Sequence, residues 1–172
     1  MIAYKEPVWL TEARKHIGMR EVPGAASNSW IKEMWLSLKG GLWFWTTYGE
    51  DDSKLPWCGA FCAFVMKTAR VDYPKNYASA KAWLDWGTKL YTPEVGCIVV
   101  FEREGGGHVG FLVGRDENLR YLVLGGNQGD EANIRSFGPE RSIGFRWPPG
   151  VPLPPANPLP IYAAAQISTR EA

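Results

Sequence analysis

Three cysteines and two histidines are all that this chain of 172 residues offers for thiol chemistry. Cys58 lies in Pro56-Trp57-Cys58-Gly59-Ala60-Phe61-Cys62-Ala63-Phe64-Val65, where a helix-starting signal passes into an apolar run. A sulfur in the first turn of a helix faces unpaired N–H groups and the positive end of the dipole. Both favour the thiolate, the form that attacks carbonyls. Such a nucleophile needs a proton shuttle. His16 falls in a helical-looking segment from Trp9 to Ile17, whereas His108 opens an apolar strand within Gly105-Gly106-Gly107-His108-Val109-Gly110-Phe111. The pattern selects Cys58 and His108. A third polar group must hold the imidazole in its working tautomer. Leu124-Gly125-Gly126-Asn127-Gln128-Gly129 ends the next strand, and Asn127 follows two glycines that let the chain turn into a site. Asn127 is the expected orienting residue, since Gln128 would face the other way on a continuing strand.

Each residue has a plainer use. Cys62, one turn further into the helix and flanked by Phe61 and Ala63, reads as core, although positions four apart share a helix face. Cys97, at the start of an apolar strand, reads as packing. His108 alone would be a strand-end histidine, and Asn127 alone a turn residue. Cys58-x-x-x-Cys62 lacks the paired spacings of zinc ligands and is one residue too long for a redox Cys-x-x-Cys, so neither metal nor cofactor is expected. Asp51 and Asp52 read as a solvated acidic loop.

The elements that must position these groups change period partway along. Roughly residues 7–18 read as a first helix, and Ser27 or Asn28 caps a second through Leu38, ended by Gly40-Gly41. Residues 42–55 look like a loop entering the active helix, which runs from about Trp57 to Ala69. A short fourth helix spans 79–87. Five β-rich runs follow, at 96–101, 108–113, 119–124, 133–137 and 143–147, separated by turn residues. Helices first and strands afterwards indicate an α+β domain, the helices packed on an antiparallel sheet of about five strands. Residues 1–147 are expected to form the domain. The Pro-rich stretch 148–172 reads as an extended tail or a strap over the surface.

Lys and Arg number 19 against 18 for Asp and Glu, and the net charge of +1 gives no electrostatic case for nucleic acid. Three cysteines cannot all pair, which argues against a disulfide framework. The first residues lack a basic region followed by an apolar one, and no stretch approaches a membrane span. Synthesis in the cytoplasm without a signal peptide, no membrane insertion and a monomer are the expectations. Nine tryptophans exceed the needs of a core of this size. Trp43, Trp45, Trp57 and Tyr48 are the expected walls of a substrate groove.

Trp57-Cys58 opening a helix with Phe61 a turn on, Gly107-His108-Val109-Gly110 on a strand and Gly126-Asn127 ending the next together resemble the CHAP domains, the cysteine- and histidine-dependent amidohydrolases and peptidases. These are kin of the NlpC-type cell-wall peptidases on a papain-like fold. The likeness covers about residues 8–147. Ile17-Gly18, Glu21-x-Pro23-Gly24 and Ser27-Asn28 are similar to a subgroup found in phages and bacterial genomes, some of whose members are lysins. The resemblance implies Cys58 as nucleophile, His108 as base and then acid, and Asn127 as third member. It implies hydrolysis of a peptidoglycan amide at the cell wall, either muramoyl-L-alanine or a peptide bond, by a phage endolysin or related lytic enzyme. The alternatives are an amidase acting on a non-wall substrate and a non-catalytic wall-binding or virion module. Relatives that bind calcium do so through an aspartate-rich loop with no counterpart here.

Overall fold

The computed structural model describes residues 5–24 and 26–163. Its helices come first: α1 (Val8–Arg14), α2 (Ser29–Ser37), α3 (Gly41–Thr47) and α4 (Cys58–Thr68), followed by a 3₁₀ helix at Ala80–Asp85. The strands are β1 (Thr88–Leu90), β2 (Ile98–Arg103), β3 (Gly106–Asp116), β4 (Tyr121–Gly125), β5 (Asn133–Phe137), β6 (Ser142–Trp147) and β7 (Ile161–Tyr162).

Helix α4 is the centre of the molecule because its sequence is apolar on nearly every face. Cys58 through Ala63, with Val65 and Met66, are all buried, as a helix without a polar side must be. It packs on β3 and β4, with α1 and α2 against its other flanks. Burying a side chain such as Phe61 or Val65 contributes about 1.5–3 kcal/mol each, so this contact fixes where the helix begins relative to the sheet. Gly59 is required there: a Cβ would collide with the Tyr77 carbonyl.

The strands form one sheet in the order β1-β6-β2-β3-β4-β5, antiparallel throughout this path. β2 and β3 make a hairpin in which Phe101 faces His108, and β4 lies on the other side of β3. The antiparallel α+β architecture on a papain-like plan is therefore as expected, with two short strands more.

Three expectations need correction. Residues 42–47, expected within a loop, are helical and with Gly41 form α3. α2 ends at Ser37 with Leu38 as its C-cap, and Gly40, at φ 79°, is the N-cap of α3, so the Gly40-Gly41 pair read as a stop is a start. β1 escaped notice because three residues, Thr88-Lys89-Leu90, carry no period. Residues 79–87 give a 3₁₀ helix rather than an α-helix, and Ser79 makes no side-chain cap.

The Pro-rich segment is a strap as far as it is described. The Trp147 indole donates to Pro152 O at 3.2 Å, Val151, Leu159 and Tyr162 pack on the core, and β7 pairs with the end of β3. Residues 164–172 of the tail lie outside the described residues. No helix among the described residues is long and apolar enough to cross a membrane.

Candidate active site

Trp57 closes off the segment before α4, and the first intrahelical bond runs from Phe61 N to Trp57 O at 2.8 Å. No side chain caps this end, so the first N–H groups remain available. Those of Cys58 and Gly59 point at the Cys58 sulfur, and the backbone N–H of Val109 joins them from β3. The sulfur therefore lies against the residue that follows His108. The start of α4 packs over β3, the strand that carries His108, so the fold draws together two segments fifty positions apart in sequence.

His108 is buried, 5 % exposed, with its ring stacked on Phe137 at 5.3 Å between centres. Its Nε2 lies 2.9 Å from Gln128 Oε1. The orientation of that amide is settled by its other end. Gln128 Nε2 has three acceptors, Asn133 O at 2.8 Å, Asn133 Oδ1 at 3.0 Å and Val123 O at 3.2 Å, so the oxygen must face the imidazole. An oxygen there requires a proton on His108 Nε2, which leaves Nδ1 as the acceptor. Among the described residues no hydrogen bond engages Nδ1.

The imidazole's partner is thus Gln128 and not Asn127. The reason is local: β4 ends at Gly125, and Asn127 sits at φ 56°, which breaks the alternation that would have turned Gln128 away. Asn127 lines the cavity beyond the imidazole instead. Asn133 completes the arrangement, its Nδ2 donating to Gln128 O at 3.0 Å. The signal for both was modest: a second amide directly after Asn127, and a buried polar residue opening β5.

Burial pushes the Cys58 thiol above its ordinary value, outweighing the three N–H groups and the positive charge of Arg103, which favour the thiolate. The helix start favours the thiolate as expected, and desolvation opposes it more strongly. Burial also pushes His108 down to about 4; the Gln128 hydrogen bond opposes the shift, and the charges of Arg103 and Arg141 add to it. In the neutral range the pair is a thiol beside a neutral imidazole.

The other candidates fall away from the centre. Cys62 and Cys97 are fully buried, and burial raises both thiols, Cys97 to about 12. Trp57, expected as a groove wall, is 0 % exposed: its indole donates to Glu21 Oε1 at 2.7 Å, and its ring backs Gly126, where a Cβ would come within 2.6 Å. It supports the turn that carries Gln128. Trp45 is buried as well, while Trp43 on α3 and Tyr48 just after it are exposed, and α3 packs against α2. Asp52 is not solvated but buried, accepting from Asn28 N at 2.6 Å and Val22 N at 3.3 Å, and so ties the loop before α2 to the segment before α4.

The family model of the CHAP domain matches residues 50–127, a span that holds Cys58 and His108 and stops one residue before Gln128. The chain carries this match to the CHAP domain, a family of amidase and peptidase hydrolases, over somewhat less than half of its length. No curated protein matches the chain.

Proposed function

We propose that this protein hydrolyses an amide bond of peptidoglycan, with Cys58 as nucleophile, His108 as base and then acid, and Gln128 as the group that positions the imidazole. The observation that supports the reading is the Gln128 amide, locked by Asn133 and Val123, which leaves Nδ1 of His108 as acceptor on a strand whose next N–H favours the Cys58 thiolate.

The resting pair is neutral, so the thiol proton moves to Nδ1 as the sulfur attacks the substrate carbonyl. The N–H of Cys58 is one donor for the resulting oxyanion. The tetrahedral intermediate collapses with cleavage of the C–N bond, and the imidazolium returns its proton to the departing amine. Neutral His108 then takes a proton from water as it attacks the thioester, and gives it back to the thiol when the acid product leaves. The Gln128 oxygen holds the Nε2 proton through the cycle. Asn127 remains available to the substrate from the cavity it lines.

Action at the cell wall follows from this substrate. A lytic setting such as that of phage endolysins rests on the Glu21-x-Pro23-Gly24 and Ser27-Asn28 pattern. The test is turbidity of purified walls with mass spectrometry of the soluble products. Wild-type protein should clear the suspension and release new amino termini or lactyl-terminated glycans, and Cys58→Ala should do neither. Intact walls with active-site-titrated wild-type protein would reject the substrate.

A further inference from the structure

Past the imidazole the surface opens into a cavity of about 280 Å³ whose floor includes His108 and Gln128. Three guanidinium groups from three separate elements line it: Arg103 at the end of β2, Arg135 in β5 and Arg141 in the 3₁₀ turn Pro139–Arg141. Among the described residues none of the three forms an ion pair. Glu102, beside Arg103 in sequence, pairs with Lys81 at 2.6 Å. Arg135 has room to lie over Gly129, where a Cβ would come within 2.5 Å of its Nη2. Arg141 sits 6.0 Å from the centre of the Phe137 ring, the same ring that stacks on His108.

In a chain whose charges otherwise nearly cancel, like charges gathered around one cavity repel until an anion enters. The guanidinium fork matches a carboxylate in two parallel hydrogen bonds. Because the cavity adjoins the proposed base, the anion that fills it is carried by the amide substrate itself. We infer that the Arg103–Arg135–Arg141 cavity is a subsite for a free carboxylate next to the scissile amide, so that the protein takes acidic stem peptides over amidated ones. The inference rests on the amide-hydrolase reading above.

Binding separates the two. Soluble muropeptides from purified walls are divided, and one half is treated with carbodiimide and ammonium to convert carboxylates into carboxamides. Calorimetry with the Cys58→Ala protein should show affinity at least about tenfold weaker for the amidated half, the equivalent of about 1.4 kcal/mol. The double variant Arg135→Gln/Arg141→Gln in the same background should bind both halves with the weaker affinity. Equal binding of the two halves to the Cys58→Ala protein, or a preference that survives in the double variant, would overturn the subsite. Wild-type turnover of the same walls, measured in parallel, distinguishes the failures: hydrolysis without carboxylate preference rejects the subsite alone, and no hydrolysis rejects the reading beneath it.

Discussion

The protein's two histidines sit in environments that differ in a single decisive feature. Both rings are largely buried, both lie among aromatics, and each holds one side-chain oxygen on Nε2. His16 has Glu12 Oε1 at 3.2 Å with Trp30 and Phe64 around the ring, and His108 has Gln128 Oε1 at 2.9 Å with Phe137. Burial lowers both. At His16 a carboxylate works against the shift, while at His108 the partner is a neutral amide and the nearby charges are guanidinium groups. A neutral acceptor fixes the tautomer and favours a second proton less than a carboxylate does, as the proposed base requires. Location completes the difference: Phe61 and Phe64 of α4 face His16, and the start of the same helix faces β3 beside His108.

Substitutions at each histidine and its partner separate the two environments. Replacing His108 with Ala should lower kcat/KM by about 10²–10⁴-fold, the range for a general base, while His16→Ala keeps activity and loses thermal stability. Comparable losses of activity from both would remove the distinction. Gln128→Ala should lower kcat by about ten- to a hundredfold, matching the loss of a buried hydrogen bond of about 1–3 kcal/mol, and Asn127→Ala should lower it less. The reverse order would return the orienting role to Asn127. Gln128→Glu gives His108 the kind of partner His16 has. Its activity should begin to fail at a higher pH on acidification than that of wild-type protein, whose His108 loses its basic form only as pH drops through about 4. An unmoved acid limb would separate Gln128 from the base.

The smallest effect is on stability. With a folded value of about 4 against an ordinary 6.5, the unfolded chain binds more protons than the native one between those pH values. The stability tied to a neutral His108 is therefore whole above pH 6.5 and lost as pH falls to 4, about 3 kcal/mol in all. His16 adds to it in the same direction. Denaturant titrations along this range should show the decline, and His108→Gln should flatten it.

How much of this could be read from the sequence depended on how local each signal was. The placement of Cys58 at a helix start and of His108 near the start of a strand was legible because their neighbours mark those elements, Pro56-Trp57 before one and three glycines before the other. The order of helices and then strands was legible for the same reason. Gln128 was not, because a left-handed residue at position 127 changes which side chain turns inward, and nothing in Gly-Gly-Asn-Gln declares which amide takes that conformation. An aromatic side chain suits a core and a groove equally well; only packing against Glu21 and Gly126 shows that Trp57 lies inside. The state of the thiol depended on desolvation, a property of the folded interior rather than of the helix start.

Cys58, and not the other α4 thiol, Cys62, is the proposed nucleophile. The most direct measurement is mass spectrometry of muropeptides from purified walls digested by Cys58→Ala and Cys62→Ala proteins, each shown by circular dichroism to be folded. The account predicts newly cleaved amides with the Cys62→Ala protein and none with Cys58→Ala. Cleavage by the Cys58→Ala protein, or equal loss in both, would contradict it.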